Sequence, residues 1–255
     1  MAQVRRKRHL FIPDTQVKAG VPTNHLTAAG NYVADKKPDV IVMIGDWWDM
    51  PSLSSYDKPG SEGWESKDVK EDFEAGIEAM QDFLRPIRKA RNYNPKLVFT
   101  MGNHENRVKR AREDADNRRF KQYLSDDNFK LKEMGWKVYP FLKPAYIDGI
   151  SYCHYFTSGP MDRPIGGMAE TRIKTIGHSF VAGHQQTYQV GAIYTSNGER
   201  RRGLVCGTFY QHDEDYMSVQ ANSKAWRGCF MLNEVHKGDY DLLELSVNYL
   251  LENWQ

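Results

Sequence analysis

Residues 40–49 read Val-Ile-Val-Met-Ile-Gly-Asp-Trp-Trp-Asp. Five apolar residues in a row, four of them β-branched, describe a strand with no polar face, which suits a strand covered on both sides. The run stops at Gly45-Asp46. Outward from it the same pattern recurs twice. His9 to Ile12 is an apolar run that stops at Pro13-Asp14, and Leu97 to Met101 is one that stops at Gly102-Asn103. Between these predicted strands lie segments with helical spacing. Leu26 to Asp35 predicts one helix. Lys70 to Arg91 predicts another, with Phe73, Ile77, Met80, Phe83, Leu84 and Ile87 on its apolar face. Pro86 is expected to bend or end it. Arg118 to Met134 predicts a third. Strands alternating with helices imply a mostly parallel sheet, whose strand C-termini share one edge where ligands usually bind.

The second half is richer in strands. Ile150–Phe156, Phe180–Gly183, Ala192–Thr195, Leu204–Phe209, Cys229–Val235 and Tyr240–Val247 all read as strands. Ser196-Asn197-Gly198 and Lys237-Gly238-Asp239 are turn signals between them. The expected fold class is α/β, with two packed mixed β-sheets flanked by helices in a single domain over 1–255.

Bulk composition excludes several classes. The chain has 255 residues, 40% hydrophobic and 27% charged, with a formal net charge of +2. That is ordinary for a globular protein. Cys153, Cys206 and Cys229 are odd in number and widely spaced, which argues against a disulfide framework or a structural zinc site and fits a reducing compartment. No apolar run approaches the roughly 20 residues that span a bilayer. The stretch after the basic N-terminus is too short for a signal-peptide core. A cytoplasmic protein with no membrane contact is expected.

Polar residues follow the strands at five places: Asp14-Thr15-Gln16, Gly45-Asp46-Trp47-Trp48-Asp49, Gly102-Asn103-His104-Glu105, His154, and Gly183-His184-Gln185-Gln186. Carboxylate, amide and imidazole gathered at one edge suit a divalent-metal site. Taken singly, each has a plainer reading: Asp14 as a turn residue after Pro13, His154 as a core histidine. Their order is what resembles a family. Calcineurin-like metallophosphoesterases carry D-x-H, G-D-x-x-D, G-N-H-[DE], a lone strand-end His and G-H-x-H, in that sequence. Here the corresponding segments run from about residue 9 to 186.

The resemblance implies a phosphoester hydrolase with two divalent cations. Asp14, Gln16, Asp46, Asn103, His154, His184 and Gln186 stand at the ligand positions, with Asp46 bridging. It further implies that water activated between the ions attacks phosphorus in line. His104 would assist the leaving oxygen while Asp49 orients it. Two positions depart from the pattern, because Gln16 and Gln186 replace histidines that serve one and the same ion in the family. Amide oxygen favours Mn²⁺ or Mg²⁺ over Zn²⁺, so Mn²⁺ is expected, with Mg²⁺, Fe or Zn²⁺ as other occupants. A weak site beside Asp14 and a tight one at Asp46, Asn103, His154 and His184 follow. Two equally tight Zn²⁺ ions would contradict this.

Met50-Pro51 follows Asp49 where phosphoprotein phosphatases of this superfamily have Arg-Gly. The motif set looks more like its phosphodiesterase and DNA-repair-exonuclease side, including phage-encoded members. Arg107, Lys109, Arg110, Arg112, Arg118, Arg119 and Lys121 cluster after the third motif, Arg5 to Arg8 precede the first strand, and Arg200 to Arg202 sit at a hairpin. Such patches attract polyanions, although Glu113, Asp114 and Asp116 interleave with the first. Trp47 or Trp48 would offer a base a stacking surface, and Arg107 would face the substrate. The leading expectation is a phosphodiesterase or nuclease acting on nucleic acid or nucleotides. The alternatives are a phosphomonoesterase and a weakly catalytic nucleic-acid-binding module. His212, Asp213, Glu214 and Asp215 are expected in a solvated loop, and His178 is expected to be structural.

Overall fold

The computed structural model describes residues 5–55, 60–214 and 217–255. Its strands are β1 (Lys7–Ile12), β2 (Val40–Met43), β3 (Lys96–Thr100), β4 (Lys137–Tyr139), β5 (Ala145–Ile147), β6 (Ile150–Cys153), β7 (Thr157–Ser158), β8 (Arg163–Pro164), β9 (Ser179–Ala182), β10 (Tyr188–Tyr194), β11 (Arg200–Cys206), β12 (Gly228–His236) and β13 (Asp239–Ser246). Its helices are α1 (Asn24–Lys36), α2 (Glu62–Glu65), α3 (Val69–Lys89), α4 (Arg107–Glu113), α5 (Ala169–Ile176), α6 (Val219–Lys224) and α7 (Val247–Asn253). Among the described residues, no helix is long and apolar enough to cross a membrane.

Two mixed sheets pack face to face. The first has the order β13-β12-β1-β2-β3-β4, and the second β10-β11-β9-β6-β5. β1, β2, β3 and β4 run parallel, as do β6, β9 and β11. The pleat divides each strand between two cores. From the first sheet Phe11, Val42, Ile44 and Val98 point inward and meet Ile150, Tyr152, Val181 and Leu204 of the second. From the opposite face of the first sheet, Leu10, Ile12, Ile41, Met43 and Phe99 meet α1 and α3 through Leu26, Val33, Met80 and Phe83. On the outer side of the second sheet, α5 covers Phe180, Ala182 and Val205 with Ile173. The three cysteines are free and buried.

The early strands and the first two long helices fall within a few residues of their expected limits. α3 runs through Pro86 and ends at Lys89. The helix expected over 118–134 does not form. Its place is taken by 3-10 turns at Ala115–Tyr123 and Asp126–Phe129. Ser125 turns its hydroxyl back to accept from the Asp127 amide at 3.3 Å, and Lys130 adopts φ 55°. Local side-chain capping and a left-handed residue both break helical continuity. The helices α4, α5 and α7 arise where periodicity was too short to announce them.

Trp47 and Trp48 correct an expectation. Both are fully buried, at 0% exposure. The Trp47 indole N–H donates to the Gly76 carbonyl (3.0 Å) and the Trp48 indole N–H to the Phe73 carbonyl (3.2 Å), both on α3. Trp48 also lies against Phe129, ring centroids 4.7 Å apart. Neither ring is open to a base. Together they bolt the Asp46 loop onto α3. Gly76 is required for this, since a Cβ there would stand 1.8 Å from the Trp48 indole nitrogen. Gly76→Ala is therefore expected to destabilise the fold by about 2 kcal/mol or more, the scale of an overpacked core. Urea unfolding measures it, and a loss under about 0.5 kcal/mol would contradict this seating.

Candidate metal centre

The five polar strand ends meet on one edge. Thr15 and Gln16 donate their amides to the Asp46 carbonyl (3.0 and 2.9 Å), and Phe209 donates its amide to the Asp14 carbonyl (2.7 Å). Gly102 makes the closest approach: a Cβ there would stand 2.1 Å from Asp46 Oδ1. Gln16, Asp46, His184 and Gln186 all have positive φ, between 43° and 68°. Left-handed backbone at non-glycine residues is unfavourable and gathers at functional sites.

The donor atoms converge. His154 donates its Nδ1–H to the Ile44 carbonyl (3.1 Å), which fixes the ring and turns Nε2 inward. Nε2 lies 2.8 Å from Asn103 Oδ1 and 3.1 Å from Asp46 Oδ2. Asp14 accepts the His184 amide on both carboxylate oxygens at 3.2 Å. The His184 ring stands 5.2 Å from that of His154 and 4.6 Å from that of Tyr155. Asp46, His154 and His184 offer ligand atoms within 4.8 Å of one another. Gln186 and Gln16 are also neighbours: the Gln186 amide nitrogen donates to Gln16 Oε1 at 3.3 Å, and the Tyr210 hydroxyl donates to Gln186 Oε1 at 3.3 Å.

Charges at this spot are strongly perturbed. Burial lifts the Asp14 carboxyl to about 7, with the Asp46 charge adding and His154 opposing. Burial alone would raise Asp46 too, but the imidazoles of His154 and His104 hold it below the carboxylate range. Burial would lower His154; Asp46 and Asp14 outweigh that and raise it to about 9. His184 is lowered to about 4 by burial and by His154. The carboxylates thus already draw positive charge towards themselves.

His104 stands beside this set. Its amide donates to Asp46 Oδ1 (2.9 Å). Its Nδ1 lies 2.9 Å from Asp49 Oδ1 and 2.8 Å from the Asp49 carbonyl. Its Nε2 lies 3.8 Å from Asp46 Oδ2 and 3.1 Å from the Arg107 guanidinium. Arg107 also donates to the Asp49 and Met50 carbonyls (2.8 and 3.2 Å). Its guanidinium therefore braces the loop as well as facing the site. Lys109, Arg110 and Arg112 on α4 are exposed, as are Arg118, Arg119 and Lys121 beyond it.

Three residues gain roles that sequence reasoning missed. Glu105 is fully buried and accepts amides of Asp46 (2.9 Å), Gly102 (2.8 Å) and Trp48 (3.1 Å). It ties the second and third strand-end loops together. Lys18 places Nζ 3.1 Å from Asp49 Oδ2 and 2.9 Å from Glu214 Oε2. Glu214 is 1% exposed, not in a solvated loop, and accepts from His212 Nε2 (2.6 Å). Asp213 pairs with Arg227 (2.5 Å), and Asp215 lies outside the described residues. Glu105 sat in plain view within its motif. Lys18 and Glu214 had no signal, because a lysine and a glutamate 196 residues apart show nothing of their meeting. His178 lies away from this edge, with Nε2 2.6 Å from the Ser151 hydroxyl.

No family model matches the chain. The Gene 54 proteins of Mycobacterium phages D29 and L5 are similar to it over 101 residues, at 35% and 34% identity. That match covers 40% of this chain and 37% of the length of each relative. One solved structure aligns with 95% of this chain and 100% of its own, at TM-score 0.40 and 14% identity. A likeness that slight bears on neither fold nor site.

Two outcomes are expected. Glu105→Ala leaves three buried amides without an acceptor and should lower stability by about 2–4 kcal/mol in denaturant unfolding; an unchanged midpoint would contradict its role. His25 on α1 donates Nε2–H to the Phe209 carbonyl (2.9 Å) and accepts from Gln211 at Nδ1 (3.0 Å). Burial lowers its pKa to about 4 from 6.5. The unfolded chain then binds the proton first, so stability present above pH 6.5 is lost as pH falls towards 4. The loss approaches roughly 3 kcal/mol. Stability measured at pH 7 and 4.5 should fall less in His25→Gln, and an equal fall would count against this linkage.

Proposed function

We propose that this protein is a metal-dependent phosphoester hydrolase of the calcineurin-like metallophosphoesterase type, acting on phosphodiesters of nucleic acid or nucleotides. One observation carries the reading. Asn103 Oδ1 and Asp46 Oδ2 lie within 3.1 Å of His154 Nε2, beside a His104–Asp49 pair.

The residues present fit a divalent cation. Asp46, Asn103, His154 and His184 form a mixed oxygen and nitrogen set suited to Mn²⁺ and similar ions. His154 has the backing expected of a metal ligand, its far N–H held by a backbone carbonyl. Asp14, with the neighbouring amides of Gln16 and Gln186, is a harder and weaker set for a second ion. When bound, such ions would supply Lewis acidity, lowering the pKa of a water and offsetting phosphate charge.

The chain's own groups supply the rest. Asp49 holds the His104 ring through Nδ1 and leaves Nε2 facing Asp46. From there His104 can pass a proton to the leaving oxygen, work for which imidazole is suited near neutral pH. Lys18 and Arg107 hold Asp49 ionised: burial would raise its pKa, but the His104 hydrogen bond and these two cations lower it. The diester preference draws on the motif resemblance, above all on Met50-Pro51 standing where a phosphate-gripping arginine would follow Asp49.

Hydrolysis of bis-p-nitrophenyl phosphate and p-nitrophenyl phosphate, each with Mn²⁺, Mg²⁺ and Zn²⁺, tests the reading. The diester should be turned over faster, and best with Mn²⁺. His104→Ala should lower kcat by about a hundredfold or more with bound manganese unchanged, whereas Asp46→Asn should lose the metal. No turnover of either ester with any ion would refute the assignment. Loss of metal from His104→Ala would refute the role given to His104.

A further inference from the structure

The basic runs at 5–8 and 200–202 are far apart in the chain, yet the fold brings them to one cavity. β1 begins at Lys7, β6 follows Gly149, β9 begins at Ser179 and β11 at Arg200. All four starts lie at the edge opposite the metal centre, because Asp14, His154 and His184 come after the ends of β1, β6 and β9. A cavity of about 540 Å³ opens there. At roughly 3.3 Å per residue, five to seven residues of strand put it about 17–23 Å from the metal-site loops.

Charge distinguishes this cavity. Arg5, Lys7, Arg200, Arg201 and Lys237 line it, against the carboxylates of Asp148 and Glu199. Two further carboxylates, Asp39 and Asp239, reach these cations from beside the lining. Part of the positive charge is matched: Lys7 pairs with Asp148 (2.9 Å), Arg200 with Asp239 (2.9 Å) and Arg5 with Asp39 (2.6 Å). Arg201 donates to the neutral Gly177 carbonyl (2.7 Å) and makes no ion pair among the described residues. Lys237 is exposed at the tip of the β12–β13 hairpin.

The cavity also holds an aromatic surface. Tyr146, on edge strand β5, is 65% exposed. Its ring meets that of His178 edge-on at 5.9 Å, and both residues line the cavity. A solvent-facing ring among cations is the combination that single-stranded nucleic acids use, phosphates on the charges and a base on the ring. A duplex keeps its bases stacked inside and offers none to the ring. An acidic peptide would use the cations and leave the ring idle.

We infer that this cavity is a second site, which anchors a single strand of nucleic acid by its phosphates at Arg201 and Lys237 and by a base on Tyr146. The inference goes beyond the hydrolase reading and does not require it, since it involves neither metal nor turnover.

The test is fluorescence anisotropy of a fluorescein-labelled oligothymidylate in EDTA, titrated at several salt concentrations. Binding should weaken with salt. The double variant Arg201→Glu, Lys237→Glu should weaken it at least about tenfold and flatten the log–log salt slope by about 1.4, the value for two single-strand phosphate contacts. Tyr146→Ala should weaken it about fivefold or more and Tyr146→Phe should restore it. Equal affinity in the charge-reversed protein, or displacement of the strand by polyglutamate as readily as by unlabelled oligothymidylate, would overturn the inference. Binding as expected in a protein that hydrolyses no phosphoester would sink the hydrolase reading alone.

Discussion

Asp14 and Asp46 are buried side by side, and almost everything else at this edge of the molecule serves that fact. Taking two carboxylates out of water is unfavourable unless positive charge and hydrogen-bond donors replace the solvent. The chain supplies both. Backbone amides of His184 and His104 point at the two carboxylates. His154 and His104 lend imidazoles. The arrangement leaves acceptor atoms of several chain segments aimed at one small volume. In the function proposed above, a cation takes that volume.

Holding the cluster in place needs rigid supports behind it. Glu105 gathers three amides from two loops. Trp47 and Trp48, which follow Asp46 directly, are sunk into the α3 layer and prevent their loop from lifting. Lys18 links Asp49 to Glu214, so the segment after β11 is tied to the same edge. That segment also bridges Asp14 through Thr208 and reaches Gln186 through Tyr210. Left-handed backbone at Asp46 and His184 is tolerated because these neighbours over-determine it.

Much of this was legible in the sequence, for physical reasons. A short β-branched apolar run such as residues 40–44 favours a buried strand, and a polar residue just after it then lies near a sheet edge. Five such residues, Asp14, Asp46, Asn103, His154 and His184, were grouped because they recur in the order of the metallophosphoesterase motifs they resemble. What stayed illegible was direction and distance. One of Trp47 and Trp48 was expected at the surface, because a loop position does not say which way a side chain turns; the Gly76 groove on α3 that receives them is visible only in three dimensions. The 118–134 segment has helical composition, but Ser125 and Lys130 divert its backbone locally. Lys18 and Glu214 meet only because the segment after β11 returns to β1. The same holds for the basic cavity, where two charge runs became one site once β1 and β11 were seen to start at the same edge.

The molecule therefore has two unlike edges, one of buried acids and imidazoles and one of cations around a tyrosine. The first decides the account. Crystals grown with Mn²⁺ and measured at the manganese absorption edge test it directly. The account predicts a strong anomalous peak within bonding distance of Asp46 Oδ2, His154 Nε2 and Asn103 Oδ1, and a weaker second peak on the Asp14 side. No peak at Asp46, or one found only elsewhere on the protein, would contradict it.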